Sequence, residues 1–299
     1  MKKYSLIAVV FILLFSSCEE DIKLNVLAAD VKIVIEGSFE NGQYAEVVVT
    51  RNSPLSQTIN YDNMIVKDAL VYVSNGVITD TLRFDTVFTA ANPFLYKGTT
   101  LLGMVGQVYS LTVVADGKIY TATTSIPAPV PLDSVWWKPQ PPEQDLGYAW
   151  AKLQEPSGLG NGYRWKAKRP MKIVPYDGSF VLLDRRYVAP FGATFDDKYI
   201  DGKTFEFAYN RGYDPVERMY YEITEDEEER GYYKRGDTVY IKFATIDKAA
   251  QDFYQTYDAA ISSAGNPFAS PVTIISNIKG GGLGVWAGMG VVYDTIYAQ

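Results

Sequence analysis

Short alternating segments separated by tight-turn dipeptides constrain the fold of this chain more than any other feature. Residues 75–76 are Asn-Gly and residues 116–117 are Asp-Gly, which favour two-residue hairpins because both positions tolerate positive φ. The flanking segments are rich in Val, Ile, Tyr and Thr, as half-buried pleated surfaces prefer. This pattern predicts an immunoglobulin-like β-sandwich over residues 31–126. Its predicted strands are 31–37, 44–51, 69–75, 77–84, 108–115 and 118–125.

Proline is concentrated in IPAPVPLDSVWWKPQPP, where it fills six of the 17 positions from 126 to 142. Because proline lacks a backbone N–H and fixes φ, this stretch cannot form a central strand. The composition instead predicts a semi-rigid, extended linker over residues 127–142. The linker would separate the sandwich from a second β-rich domain, sheet-like or barrel-like, over residues 143–299.

The second half alternates strand patterns with one helix. In residues 247–262 the apolar side chains recur at steps of three and four, which predicts one face of an amphipathic helix. Asp247 can cap its start, and Gly265 and Pro267 can stop it. The predicted strands of this half are 148–155, 162–169, 204–209, 238–245, 272–277 and 283–298.

The N-terminus carries an export signal. Residues 6–15 hold no polar side chain and are too few to span a bilayer, which takes about 20, so residues 1–17 are predicted to be a signal peptide. Cys18 is the only cysteine and stands where a bacterial lipoprotein carries its acylated cysteine. An unpaired thiol in an exported chain asks for such an explanation, although an ordinary secretory signal beside a chance cysteine is the alternative. We therefore expect residues 18–30 to be a lipid-anchored acidic tether on the outer membrane.

An acidic cluster follows the cysteine. Glu19, Glu20 and Asp21 resemble the surface-export signal of Bacteroidetes lipoproteins, and the alternative is a solvated tether. Residues 18–299 carry 26 basic and 35 acidic side chains, a net charge of −9. This balance disfavours nucleic acid and anionic membrane surfaces as partners, because both select a basic patch.

The residue inventory removes most catalytic chemistry. The chain contains no histidine, which excludes Ser-His-Asp and Cys-His sites and the common histidine metal sites. The glycine motif at residues 282–287 precedes a predicted strand rather than the helix that nucleotide binding needs, so a turn or bulge is favoured. Asp196, Asp197 and Asp201 fail the EF-hand spacing and leave only an irregular calcium site open. We predict no cofactor, no metal and no enzymatic activity, with a carboxylate-dependent hydrolase left open.

Aromatic residues make up 14% of the chain and give the remaining lead. Trp136 and Trp137 are adjacent on an extended segment, so they should point to opposite sides. A basic-aromatic segment follows at Tyr163, Arg164 and Trp165. These five residues are the predicted contacts to a ligand or partner, and the alternative for each tryptophan is packing in a core.

Four segments together resemble one known family. They are VIEGSFENGQYAEVVVTRNSPL (34–55), GQVYSLTVVADGKIYTATTSIPAPVPLDSV (106–135), GYRWK (162–166) and NIKGGGLGVWAG (277–288). In this order they resemble the Bacteroidetes surface lipoproteins called domain of unknown function 4249.

The family implies a surface lipoprotein encoded beside a TonB-dependent outer-membrane receptor, and it offers no catalytic residues to carry over. We expect a non-enzymatic accessory that captures an unknown ligand or helps its uptake. An adhesion or envelope-structural module is the alternative, and an extracellular hydrolase is the third.

Lipidation gives the first test. Mass spectrometry of the membrane fraction should find an N-terminus at Cys18 that carries lipid mass, because two or more acyl chains give stable anchoring. The Cys18→Ser variant should be released as a soluble protein. A variant that stays bound to the membrane would show that something other than this lipid holds the chain there.

Overall fold

The computed structural model describes residues 30–53, 61–85, 94–173, 181–183, 186–212, 231–264, 266, 268–270 and 272–299. The predicted signal peptide and acidic tether, with Cys18, Glu19, Glu20 and Asp21, lie outside these residues except for residue 30. Lys32–Asn52 and Asn60–Gln299 form one compact unit. The second unit, Met1–Val31 and Ser53–Ile59, falls almost wholly outside the described residues.

The described chain is mostly β, which confirms the predicted fold class. Its two helices are α1 (Tyr61–Met64) and α2 (Lys248–Ser263). The strands before residue 130 are β1 (Ile33–Glu40), β2 (Tyr44–Arg51), β3 (Leu70–Ser74), β4 (Thr79–Phe84), β5 (Tyr96–Leu102), β6 (Val108–Ala115) and β7 (Lys118–Ser125). Those after it are β8 (Ser134–Pro139), β9 (Leu146–Gln154), β10 (Gly162–Lys168), β11 (Met171–Ile173), β12 (Val181–Leu183), β13 (Thr194–Asp196), β14 (Thr204–Tyr209), β15 (Tyr233–Lys234), β16 (Thr238–Ile246) and β17 (Leu283–Tyr297).

Both predicted tight turns are confirmed. Asp116 and Gly117 have φ values of 50° and 70° between β6 and β7, as a two-residue hairpin requires. Between β3 and β4, Gly76 has a φ of 87°. The Asn75 Oδ1 atom accepts hydrogen bonds from the backbone N–H groups of residues 77 and 78, which fixes that turn.

Strand β17 joins the two halves of the chain in one sheet. The strand order is β13-β10-β16-β17-β1-β2-β5-β4-β3-β6-β7. From Leu283 to Met289 strand β17 pairs in parallel with β1, and from Met289 to Tyr297 it pairs antiparallel with β16. The division into domains at residues 127–142 stays a prediction, but the C-terminal strand contributes to the sheets on both sides of it.

The N-terminal half encloses its own core. The Phe39 ring of β1 lies 4.4 Å from the Tyr109 ring of β6, so two layers of strands face each other there. Trp286 of β17 is fully buried in this core and donates a hydrogen bond from Nε1 to the Tyr109 carbonyl. The last strand thus supplies a central side chain to the first half of the protein.

The predicted strand at residues 272–277 is wrong, because no strand forms there. Side chains take the place of a backbone ladder beside β17. The Asn277 amide donates to the Trp286 carbonyl while its Oδ1 accepts from the Trp286 N–H. Ser276 Oγ donates to the Gly284 carbonyl in the same way. Side-chain pairing of this kind satisfies the edge of β17 without an additional strand.

The Pro-rich stretch is packed rather than free-standing. Strand β8 within it pairs only with β9 and therefore lies at an edge of its sheet, as a proline-containing strand must. Upstream of β8, the chain crosses directly over β17. A Cβ added to Gly288 would stand 2.0 Å from the Ser125 carbonyl oxygen, and one on Gly290 would stand 2.2 Å from the Pro127 carbonyl oxygen. Gly288 and Gly290 have no room for a side chain, because the backbone of residues 125 and 127 approaches them closely.

Helix α2 is confirmed, with Asp247 as its N-cap. The Asp247 carboxylate accepts from the Ala250 N–H at 2.8 Å and from the Thr124 hydroxyl at 2.5 Å. Thr124 Oγ1 in turn accepts from the Gly288 N–H at 2.6 Å. The helix start is therefore tied to β7 and β17. Gly265 and Pro267, the predicted stop, lie outside the described residues.

Replacement of Gly288 tests the crossing over β17. Gly288→Val should lower the free energy of unfolding by about 3 kcal/mol or more, because the new side chain overlaps the backbone at Ser125. Chemical denaturation is the measurement. Gly231→Ala is the control, since a Cβ there meets no atom within 4 Å. Equal stability of the two variants would contradict the close approach.

Candidate functional site

A charged cleft of about 660 Å³ opens on the outer face of the long sheet. It lies where strands β1, β2, β5, β10 and β16 meet the start of helix α2. Its lining includes five cations (Lys97, Lys166, Lys168, Arg186 and Lys242), three carboxylates (Glu36, Glu40 and Glu46) and three aromatic rings (Tyr187, Phe253 and Tyr254). This volume is within the range of small-molecule sites, about 300–1,000 Å³.

Strand periodicity places these charges together. Side chains at alternate positions of a strand share a face, so Arg164, Lys166 and Lys168 of β10 form a basic row. The register sets Lys166 directly opposite Lys242 of β16. On β1, Glu36 and the residues two and four positions later, Ser38 and Glu40, form a second row. Strands β16 and β17 lie between β10 and β1, so Lys242 of β16 stands between the basic row and the acidic row.

An ion pair crosses β17 at the edge of the cleft. Lys242 Nζ lies 2.6 Å from Glu40 Oε1, and both side chains are largely buried. The Tyr293 hydroxyl donates to Glu40 Oε2 at 2.9 Å. Burial by itself would raise the pKa of Glu40, but the charge and hydrogen bond of Lys242, with Lys166 nearby, hold that pKa below its ordinary value. Glu40 is thus a carboxylate in the folded protein.

Lys166 differs from Glu40, because its surroundings disfavour the charged form. Its side-chain amine makes no hydrogen bond or ion pair with any described residue. Burial, followed by the positive charges of Arg164 and Lys242, lowers the pKa of Lys166 to about 7, although Glu40 and Glu36 act in the other direction. The Lys166 amine is therefore half neutral near pH 7, and it lines the cleft with no counterion among the described residues.

Arg164 lies next to the cleft, against Tyr254 of helix α2. Its guanidinium lies 3.5 Å from the centre of the Tyr254 ring, and Nη1 donates to Thr194 Oγ1 at 2.5 Å. Its Nε is buried and has no hydrogen-bond partner among the described residues. Burial lowers the pKa of Arg164, yet a guanidinium stays charged in proteins. Arg164 is thus a fixed positive charge that acts on Lys166.

The five predicted contact residues do not form one surface. Tyr163 and Trp165 are fully buried, because they occupy the inward positions of β10, so their expected contact with a partner is wrong. Trp137 is also buried and donates from Nε1 to the Tyr233 carbonyl. Trp136 is half-buried, and its ring centre lies 6.1 Å from that of Trp150, with the rings stacked. Of the segment 163–165, Arg164 alone contacts a residue that lines the cleft, Tyr254.

Sequence reasoning missed Lys166, Lys242 and Glu40. A signal for the first was present, because Arg-x-Lys-x-Lys at residues 164–168 alternates within a predicted strand. Nothing local linked Glu40 to Lys242, which is 202 residues away along the chain. Their proximity is set by the pairing of β17 with two distant strands.

The aspartates considered for calcium instead stabilise loops. Asp197 Oδ2 accepts from the N–H groups of Gly160 and Asn161, each at 2.7 Å, and Asp201 Oδ1 accepts from the Gly158 N–H. Asp196 accepts from the Gln251 amide. Within the described ranges, no three His, Cys, Asp or Glu side chains come together as a metal-binding group. The segment ITEDEEERG at residues 223–231 is also rich in carboxylates, but only its last residue lies within those ranges.

Comparisons with known proteins do not show a family for this chain. No protein-family model and no curated protein matches the chain. Among solved structures the chain is similar to trypsin-activated alpha-2-macroglobulin from Escherichia coli, with a TM-score of 0.22 and 9% identity over 92% of this chain and 16% of that one. Such a likeness carries no argument about fold or function.

No helix in the described part of the chain has the length and apolar character needed to cross a membrane.

Removal of Lys242 tests the ion pair across β17. Lys242→Met should lower the free energy of unfolding by about 3–5 kcal/mol at pH 7, because it leaves the Glu40 carboxylate buried without its cation. The double variant Glu40→Gln/Lys242→Met should recover most of that loss. Chemical denaturation of the parent chain, the two single variants Lys242→Met and Glu40→Gln, and the double variant measures the coupling energy between Glu40 and Lys242.

The same pair predicts a pH dependence. The pKa of Glu40 is lower in the folded chain than in the unfolded one. Glu40 therefore adds to the free energy of unfolding above the ordinary carboxyl pKa of about 4.3, and this stabilisation is lost as the pH falls below that value. The double variant should lack this component. A Lys242→Met protein as stable as the parent chain would contradict the account.

Proposed function

We propose that this chain is a lipid-anchored, non-enzymatic surface protein that captures a ligand for a TonB-dependent outer-membrane receptor. The observation that carries the binding role is the open cleft of about 660 Å³, whose wall holds a lysine, Lys166, that forms no ion pair with the residues the structure describes. A half-buried charge without a counterion lowers the stability of the folded chain, and such charges are normally paired for this reason. A ligand that supplies the missing negative charge would stabilise this lysine.

The proposed location rests on the N-terminal sequence. The apolar run at residues 6–15 and the solitary Cys18 support a lipid anchor on the outer membrane. The acids Glu19, Glu20 and Asp21 support export to the cell surface. The receptor as partner rests on the resemblance to the family called domain of unknown function 4249, which is an argument by analogy.

The proposal of a binding protein rather than an enzyme rests on composition. The chain has no histidine, and its one thiol is assigned to the lipid. The lysine and carboxylates of the cleft remain as the chemically active groups. Two of the three carboxylates, Glu40 and Glu46, are held by Lys242 and Lys97, which suits recognition of a ligand better than acid–base chemistry.

Affinity purification from detergent-solubilised outer membrane tests the receptor partnership. The tagged protein should recover a TonB-dependent receptor at near-stoichiometric yield. The Cys18→Ser variant should not, because it does not reach the membrane. If no such receptor is recovered, and deletion of the protein leaves uptake of the receptor's ligand unchanged, the accessory role is wrong and an adhesion role replaces it.

A further inference from the structure

The wall of the cleft contains two lysines in direct opposition. Lys166 and Lys242 are a cross-strand pair of β10 and β16, and like charges opposite each other destabilise a sheet. Lys242 is neutralised by Glu40 at 2.6 Å. Lys166 has no equivalent partner among the described residues. The pair therefore leaves the Lys166 amine without an ion pair in the described part of the chain.

The other charged groups around Lys166 do not supply a counterion. Glu40 is already engaged by Lys242, and Glu46 is engaged by Lys97 at 3.0 Å. Glu36 is exposed and forms no ion pair with a described residue. The titratable or charged groups near Lys166 are Arg164 and Lys168 on β10, Lys242 on β16, Glu36 and Glu40 on β1, Tyr293 on β17, Tyr254 on α2, and Arg186 and Tyr187 on the segment after β12.

We propose that the cleft binds a small ligand through an oxyanion group, a carboxylate, sulfate or phosphate, whose oxygens accept hydrogen bonds from Lys166. This inference rests on the proposed binding role of the cleft and not on the lipid anchor or the receptor. Charge-assisted hydrogen bonds are the strong ones in partly buried sites. An oxyanion at this position also offsets the repulsion between Lys166, Lys242 and Arg164.

Proton uptake accompanies this binding. The pKa of Lys166 is about 7 in the free chain, and a bound anion raises it because the anion favours the ammonium form. Below about pH 7 the amine is already charged, so affinity is highest there. Above that pH the free amine must first gain a proton, and affinity falls by up to about tenfold per pH unit. An ordinary lysine would show no such change until about pH 10.

The experiment uses the mature lipoprotein in detergent, titrated calorimetrically with sodium sulfate and, separately, with sodium oxalate and inorganic phosphate. Sulfate and oxalate do not titrate between about pH 6 and 9, so a pH dependence there belongs to the protein. Lys166→Met should weaken binding by about tenfold to a hundredfold. Lys118→Met removes the same charge from an exposed position on β7 and should leave binding unchanged. Relative affinities for the three anions identify the kind of oxyanion.

A second measurement needs no variant and therefore does not depend on whether a variant folds. In the unaltered protein, NMR of isotopically methylated lysine amines should find one amine with a pKa near 7 that rises when sulfate is added. Saturable sulfate or oxalate binding that Lys166→Met abolishes supports the proposal. Absence of saturable binding by all three anions, or equal binding by Lys166→Met, overturns it. Either result leaves the receptor purification unaffected, so the two proposals fail separately.

Discussion

Strand β17 is the constraint on which the rest of this structure depends. It pairs with β1 up to Met289 and with β16 from Met289 onward, so the first and last parts of the chain share one sheet. This pairing carries Trp286 into the N-terminal core and brings Glu40 within 2.6 Å of Lys242. The cleft forms because β17 joins β1 to β16, so that the acidic row of β1 and the basic residues of β16 and β10 share one face of the sheet.

The glycines of β17 follow from this role. A strand that is crossed by the segment at residues 125–129 has no room for side chains at Gly288 and Gly290. Thr124, at the end of β7 just before this segment, links the Gly288 N–H to the helix cap at Asp247. A proline-rich stretch, a glycine-rich strand and the start of a helix are therefore parts of one arrangement.

Local pattern predicted the elements well but not their long-range assembly. The strands at residues 44–51, 108–115, 118–125 and 204–209 and the helix near 247–262 match the structure closely, because alternation, turn residues and an N-cap are local signals. The segment 272–277 misled because its β-branched residues favour a strand, whereas its Ser and Asn side chains pair with β17. Strand β5 gave no clear alternation.

The site was less predictable than the fold. Tyr163 and Trp165 are predicted contacts because they are aromatic residues beside a cation. Strand alternation buries both of them and places Arg164, Lys166 and Lys168 on the other face of the sheet. The chemistry of Lys166 depends on Lys242, whose position opposite it is fixed only by the register of β10 and β16. Without the strand register, the sequence does not show which charges surround a lysine, and so its pKa cannot be predicted.

Anomalous diffraction from crystals of the mature protein grown with selenate tests the central claim most directly. Selenate has the shape and charge of sulfate, and selenium marks its position. The account predicts an anomalous peak within hydrogen-bonding distance of Lys166 Nζ, inside the cleft. A cleft free of selenate, with Lys166 bonded instead to Glu36, would contradict it.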